Sequence, residues 1–181
     1  MGRIYLDARK SDEAAEQWKL ALQIDPRHAD TLEALGRLAL DKNQIKQAVQ
    51  YFERVLEVDP SRFMVLAAIG DAYKTADRWD DAIKSYLRAL EKSPDLPGVH
   101  SKLAMAYYER HKYSEAIDWF KKATIKEPEN ADAYQYLGWS YKEKKMNDKA
   151  LSAFKQYLAR APEAQNKQEI QDQIDYLSGG K

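Results

Sequence analysis

The sequence contains no cysteine and no long hydrophobic stretch. Without cysteine there can be no disulfide framework, no thiol nucleophile and no thiolate metal ligand. The longest uninterrupted apolar run, residues 63–69, has seven residues, whereas a membrane-spanning helix needs about 20. The first residues do not form the apolar segment of a signal peptide. These absences predict a cytoplasmic protein without direct membrane insertion, or one held at the periphery of an organelle by its partners.

An excess of charge of one sign is also missing. The 181 residues include 29 lysines and arginines and 29 aspartates and glutamates, so the formal net charge is zero. A protein of this composition has no overall basic field, and nucleic acid is therefore not an expected partner. Hydrophobic residues make up 44% of the chain, which is typical of folded rather than disordered proteins.

Motifs for catalysis or metal binding are scarce. The three histidines, His28, His100 and His111, are far apart in the sequence, and none has a second histidine at metal-binding spacing. The glycines form no phosphate-binding loop, and no Gly-x-Ser-x-Gly nucleophile motif is present. We therefore expect neither an enzyme nor a protein with a bound metal or other cofactor.

What the sequence does contain is an internal repeat of 34 residues. The period is kept by five of the six prolines, by one set of alanines, by one set of aromatic residues and by one set of very small residues. These sets are Pro26, Pro60, Pro94, Pro128 and Pro162; Ala14, Ala48, Ala82, Ala116 and Ala150; Trp18, Phe52, Tyr86, Phe120 and Phe154; and Gly2, Gly36, Gly70, Ala104 and Gly138. Agreement among independent registers predicts structural units that stack on one another.

Each repeat is predicted to form two short antiparallel helices. In the repeat that begins at Phe63, the residues Leu66, Ile69 and Tyr73 lie on one face of a first helix. A second helix with its own apolar face follows after a short interruption. Pro94 ends the unit, because proline lacks the amide donor of a helical hydrogen bond. One such hairpin cannot bury its apolar faces alone, so the sequence predicts an all-α solenoid.

This repeat resembles the tetratricopeptide repeat family. The family pattern is matched in the last repeat by Tyr134, Leu137, Gly138, Tyr141, Ala150, Phe154 and Pro162. Ala104 in place of the glycine and Ala39 in place of a tyrosine are mild departures from the pattern. The resemblance extends over roughly residues 1–162. It implies a right-handed superhelical solenoid of antiparallel helix pairs, in which the first helix of each pair lines a concave groove.

The repeat boundaries predict one tetratricopeptide solenoid from residue 1 to residue 177. Its parts are a partial repeat at 1–28, full repeats at 29–62, 63–96, 97–130 and 131–162, a C-terminal capping helix at 163–177, and a disordered tail at 178–181. The expected helix pairs are 29–41 and 45–57, 63–75 and 79–91, 97–109 and 113–125, and 131–143 and 147–159. With a truncated pair at the start and the capping helix at the end, eleven helices are expected in this sequence.

The resemblance places one face of each first helix in the groove. The predicted partner-binding residues on that face are Arg37, Asp71, Lys74, Met105, Tyr108, Trp139 and Lys142. Methionine and aromatic residues are common at adaptable binding surfaces, so we predict a non-catalytic scaffold that binds a peptide or helical segment of other proteins. Two alternatives remain open. Tyr108 and Trp139 could serve only to pack neighbouring helices, and the array could be a structural spacer or regulatory module without a groove ligand.

The first repeat begins at its glycine position, which we interpret as a trimmed start of a longer chain. Its first helix is expected to have only about two turns, a length that is marginal without packing partners. We expect the longer chain to form a large homo-oligomer through this end, with residues 1–181 monomeric or only weakly associating. Contacts of this kind can build large assemblies. In general plan the chain resembles the scaffolds of this family that coat bacterial organelles such as the magnetosome.

Overall fold

A computed structural model describes residues 2–179, with side chains from Lys10 onward. These residues form ten α-helices and no strand, so the predicted all-α class is confirmed. The helices are α1 (Gly2–Ile24), α2 (Ala29–Asp41), α3 (Ile45–Val58), α4 (Val65–Thr75), α5 (Trp79–Lys92), α6 (Val99–Glu109), α7 (Tyr113–Lys126), α8 (Ala131–Glu143), α9 (Asn147–Arg160) and α10 (Lys167–Leu177). The four full pairs, from α2 with α3 to α8 with α9, lie within two residues of their predicted bounds.

The helices of a pair pack where a glycine faces an aromatic ring. A Cβ atom added to the glycine would lie 2.4–2.5 Å from a ring carbon, so only a hydrogen fits there without a shift of the ring. The pairs are Gly36 with Phe52, Gly70 with Tyr86, and Gly138 with Phe154. All three rings are buried. This close approach explains why one register of the repeat holds very small residues and another holds aromatic ones.

The turn inside each pair depends on one residue with a left-handed backbone. Its φ angle is between 54° and 57°, and the next residue donates its amide to the carbonyl five residues earlier at 2.7–2.9 Å. The turn residues are Asn43, Asp77, His111 and Lys145. This geometry satisfies carbonyl groups at the end of the first helix and reverses the chain within a few residues.

The first repeat differs from this plan. Residues Gly2–Ile24 form one continuous helix, so the prediction of a short first helix followed by a turn is wrong. Arg9 occupies the position at which the other repeats have their left-handed residue, but its backbone is helical. The four residues after it, from Lys10 to Glu13, include no glycine or proline that would interrupt a helix. Neither α1 nor any other helix of the described part is apolar over enough length to cross a membrane.

The capping helix α10 begins at Lys167, four residues later than predicted. The residues before it form turns, with amide-to-carbonyl bonds from Ala164 to Ala161 and from Lys167 to Ala164. Ile170 and Ile174 are buried, as the predicted apolar stripe requires. Of the predicted disordered tail, the described part forms a turn after α10, and residues 180–181 lie outside the described residues.

The contacts divide the chain into two compact units, residues 1–93 and residues 94–181, called unit 1 and unit 2 below. The largest buried side chains of unit 1 are Leu32, Phe52, Val55 and Tyr86. Those of unit 2 are Val99, Leu103, Phe120, Phe154 and Ile170. The single solenoid over residues 1–177 stays a prediction.

Candidate protein-binding surfaces

The predicted charged surface of unit 1 lies partly on α2, where the charges are paired. Arg37 donates to Glu33, one turn earlier, at 2.6 Å. Glu33 also pairs with Arg62, whose guanidinium contacts Asp30 at 2.5 Å and Asp59 at 3.2 Å. Partly exposed ion pairs contribute little to stability. They do fix the positions of the charges along this helix.

Asp71, on α4, is the acceptor for a buried hydroxyl group. The Tyr86 side chain is fully buried, and its hydroxyl donates to the Asp71 carboxylate at 2.8 Å. Burial, and then the carboxylate of Asp71, raises the pKa of Tyr86 far above its ordinary value, so the hydroxyl stays protonated and able to donate. Asp71 therefore stabilises the core of its own repeat. Lys74 is half-buried, and its ammonium group forms no ion pair or hydrogen bond within residues 10–179.

The predicted apolar surface of unit 2 contains three tyrosines in contact. The ring centroid of Tyr108 lies 5.5 Å from that of Tyr113 and 5.4 Å from that of Tyr136, edge-to-face in both cases. Tyr136 also stacks on the buried Phe120 at 6.0 Å. All three tyrosines are half-buried, and we call them the tyrosine cluster. Met105, one turn before Tyr108 on α6, is half-buried against the core of unit 2.

Acidic side chains lie close to the tyrosine cluster. Burial raises the pKa of Tyr108, and the carboxylates of Glu143 and Glu109 add to the increase. Burial, followed by the carboxylate of Glu109, likewise raises the pKa of Tyr136. A carboxylate disfavours a phenolate nearby because the two charges repel. The tyrosine cluster is therefore a neutral, partly apolar surface in a negative field.

Trp139 and Lys142 lie on α8, and both contact other side chains of unit 2. The Trp139 ring packs edge-to-face on the buried Phe154, with centroids 4.9 Å apart. The Lys142 ammonium lies 5.0 Å from the centroid of the Trp139 ring and donates to Gln173 of the capping helix at 2.5 Å. Trp139 therefore has a packing role within unit 2. Its half-buried indole still leaves part of the ring accessible.

Hydrogen bonds between loops of unit 2 connect the beginning of α6 to the beginning of α8. One carboxylate oxygen of Glu127 accepts the amide of Gly98, before α6, at 2.5 Å, and the other accepts the Asn130 side-chain amide at 3.0 Å. Asn130 in turn accepts the amide of Ala133 at 3.3 Å and so caps α8. Gly98 has a φ angle of 73°, a conformation that favours glycine. Glu127 thus fixes the two helices that carry two rings of the tyrosine cluster.

Sequence reasoning missed Tyr113, Tyr136 and Glu143 as neighbours of the predicted surface. Tyr136 occupies the register of Lys102 rather than that of Tyr108, so the periodicity alone does not relate the two tyrosines. Tyr113 begins a second helix, which the groove prediction does not include. The repeat could have indicated Glu143, because it lies 34 residues after Glu109, at the same position of the next first helix.

The histidines have structural positions. His28 accepts the amide of Thr31 at 3.3 Å and caps α2. His100 is buried beside Trp119, with ring centroids 5.8 Å apart. His111 forms the left-handed turn before α7, with its Nδ1 atom 2.8 Å from the Tyr113 hydroxyl. Among residues 10–179, no group of three or more His, Cys, Asp or Glu side chains is arranged to hold a metal ion.

The sequence matches the tetratricopeptide repeat in three overlapping segments, residues 33–97, 73–138 and 132–164. Together these segments extend over most of the chain, and they overlap all four full helix pairs. The chain therefore belongs to the tetratricopeptide repeat family. Proteins of this family are typically non-catalytic and take part in protein–protein interactions. Among curated proteins, none matches this chain in sequence.

Solved structures share the fold along nearly the whole chain. MamA is 24% identical, with a TM-score of 0.81 and coverage of 90% of this chain and 95% of that chain. YrrB, described as a TPR protein with an unusual peptide-binding site, is 16% identical, with a TM-score of 0.73 and coverage of 91% and 94%. PilF of Pseudomonas aeruginosa is 18% identical, with a TM-score of 0.79 and coverage of 99% and 82%. At these identities the similarity concerns the fold alone.

Proposed function

We propose that this protein is a non-catalytic scaffold that binds a segment of another protein on the first helices of its repeats. Its main support is a set of half-buried side chains in unit 2 that lie outside the repeated core registers. Met105, Tyr108 and Trp139 present apolar and aromatic surface there. Interface residues that contribute most to binding are often such aromatic anchors. The peptide-binding site of YrrB, a protein of the same fold, gives the proposal a precedent.

The proposed ligand is an extended or helical peptide segment with a hydrophobic anchor residue near Met105, Tyr108 and Trp139. The remaining predicted residues, Arg37, Asp71, Lys74 and Lys142, provide charge. Since Arg37 is paired with Glu33 and Asp71 with Tyr86, they select a ligand through charge complementarity more than they add affinity. With a net charge of zero, nucleic acid is not part of the proposal.

Selection from a random peptide library on the immobilised protein tests the proposal. Selected peptides are then titrated against purified variants by fluorescence anisotropy. Tyr108→Ala should weaken binding at least about tenfold, because a central aromatic anchor is lost. The matched control is Tyr176→Ala on the capping helix, whose side chain is 71% exposed, and it should bind like the wild type.

Far-UV circular dichroism separates lost binding from lost folding. Met105→Ala provides a second variant at the same surface in case Tyr108→Ala is unstable. Wild-type affinity in both variants would contradict the proposed surface. A library that yields no binding peptide at all would contradict the scaffold function and favour the spacer or regulatory module.

Self-association is the second part of the proposal, and α1 supports it. The side chains of Leu20 and Ile24, one turn apart on α1, are 50% and 89% exposed, so they place two aliphatic groups side by side at the surface. We propose that a second copy of the chain covers them. Light scattering during size-exclusion chromatography should show a larger species for the wild type than for Leu20→Lys/Ile24→Lys. A wild-type monomer at every concentration would contradict self-association.

A further inference from the structure

The tyrosine cluster of unit 2 combines accessible rings with ring-to-ring contacts. Tyr108 is held edge-to-face by both Tyr113 and Tyr136 at centroid distances near 5.5 Å. Since each ring is only half-buried, the cluster presents aromatic surface that is fixed in position. Fixed aromatic surface attracts cations as well as apolar groups, because the ring faces carry negative charge density.

Two carboxylates beside the tyrosine cluster favour a cation over an apolar group as its ligand. Glu109 and Glu143 end α6 and α8, and one repeat separates them in the sequence. Both are exposed, and within residues 10–179 neither forms an ion pair or a side-chain hydrogen bond. Glu143 lies two turns after Tyr136 on the same face of α8, and Glu109 directly follows Tyr108 on α6. In agreement with this placement, both carboxylates add to the raised pKa of Tyr108 and of Tyr113 after burial.

Three cations of unit 2 near the tyrosine cluster have interactions of their own, while Lys112, Lys144 and Lys145 are exposed. Lys142 donates to Gln173 and lies beside Trp139. Lys102 and Arg110 have interactions of their own, and none of the ion pairs described for unit 2 includes Glu109 or Glu143. Glu109 and Glu143 therefore have no ion-pair partner among the side chains of residues 10–179.

We propose that the tyrosine cluster, with Glu109 and Glu143, binds an arginine side chain of the partner segment. A planar guanidinium stacks on an aromatic ring and donates paired hydrogen bonds to a carboxylate. Arginine therefore fits this surface better than lysine does. The inference rests on the proposed function, because the arginine belongs to the segment whose hydrophobic anchor contacts Met105 and Trp139.

Citrulline provides the decisive probe, because it has nearly the shape of arginine but no charge. Peptides selected from the random library should carry an arginine close to a hydrophobic residue. Each selected peptide is then made twice, with arginine and with citrulline at that position. The wild-type protein should prefer the arginine peptide by about tenfold, as expected for a cation–π contact supported by a carboxylate.

Neutralising the two carboxylates should remove this preference. In Glu109→Gln/Glu143→Gln, the arginine peptide should bind only as tightly as the citrulline peptide, whose affinity should stay near its wild-type value. The matched control is Glu129→Gln/Glu163→Gln, which makes the same change in net charge at two exposed carboxylates of unit 2. The control should keep the preference for arginine.

The possible outcomes separate this inference from the proposed function. Peptides that bind at Tyr108 but show no preference for arginine over citrulline would overturn the arginine site and leave the scaffold in place. A preference that survives in Glu109→Gln/Glu143→Gln would also overturn it, because the charge would then act from elsewhere. A library that yields no binding peptide would overturn both.

Discussion

Unit 1 and unit 2 consist of helix pairs of the same type, but the side chains on the surface of their first helices differ. One register reads Arg37 and Asp71 in unit 1, and Met105 and Trp139 in unit 2. In unit 1, Arg37 pairs with Glu33 and Asp71 accepts a hydrogen bond from Tyr86. In unit 2, Met105 and Trp139 add apolar surface beside the tyrosine cluster. The glycine and aromatic registers remain nearly constant. The hairpin keeps a very small residue in one register and an aromatic residue in the other, Ala104 and Phe120 included, while the first-helix surface changes.

The largest expected effect concerns the glycine–ring contact that occurs inside each unit. Phe52→Ala in unit 1 and Phe154→Ala in unit 2 each remove a buried ring that lies against a glycine. Each should lower the free energy of unfolding by about 3–5 kcal/mol, through lost burial and a cavity. Native-state hydrogen exchange of the amides of each unit measures the two losses separately. A difference of more than about 2 kcal/mol between them would show that the hairpins are not equivalent.

The next effect concerns the hydroxyl group that distinguishes the two cores. Tyr86→Phe removes the hydrogen bond to Asp71 and should cost about 1.5 kcal/mol, as expected for a bond to a charged acceptor. Phe120→Tyr introduces a buried hydroxyl one repeat later, where Met105 stands in the register of Asp71. This variant should be destabilised by about 1–3 kcal/mol, because the hydroxyl has no carboxylate acceptor.

Adding the acceptor should restore stability. Met105→Asp combined with Phe120→Tyr transfers the unit 1 pair into unit 2, and urea unfolding should show favourable coupling between the two substitutions. Simple additivity of their effects would mean that the pair does not transfer and that unit 2 holds its first helix at a different distance.

The smallest effect is a difference in pH dependence. His100 is buried in unit 2, whereas the same register of unit 1 holds Leu66. Burial, and then the positive charge of Lys122, lowers the pKa of His100 below its ordinary value of 6.5. The unfolded chain therefore binds a proton at a higher pH than the folded chain does, and unit 2 should lose stability as the pH falls through 6.5 and below.

Thermal unfolding between about pH 7.5 and about pH 5 measures this loss. His100→Leu, which copies unit 1, should flatten the profile in this range. An unchanged profile in His100→Leu would assign the slope to another group.

The sequence predicts the helix pairs well because several residues mark each boundary. Pro60 and Pro94, for example, follow helices that end at Val58 and Lys92, and the aromatic and glycine registers fix which faces meet. It fails at α1, where Arg9 stands in the turn register but residues Gly2–Ile24 continue as one helix. The repeat gives the register of each helix but does not by itself place the turn, since a basic residue adopts the left-handed angles at Lys145 and continues the helix at Arg9.

The candidate surface is harder to predict than the fold. Its placement on α6 and α8 follows from the repeat, as Met105, Tyr108 and Trp139 illustrate. The contact between Tyr108 and Tyr136 does not follow, because it joins different registers of neighbouring helices and depends on how their side chains interlock. The pairing of Asp71 with Tyr86 escapes prediction for a related reason, since the repeat places them on different helices.

The contact between glycine and ring also has a consequence for motion. The edge of the Phe52 or Phe154 ring lies only 2.5 Å from where a Cβ atom of the facing glycine would be. The ring cannot rotate by half a turn about its Cβ–Cγ bond unless the facing helix moves away, because interiors packed at this density leave no spare volume. Each half-turn therefore records one opening of a helix pair. The exchange of the two ring edges in the NMR spectrum would then give the frequency of that opening, with Phe52 reporting on unit 1 and Phe154 on unit 2.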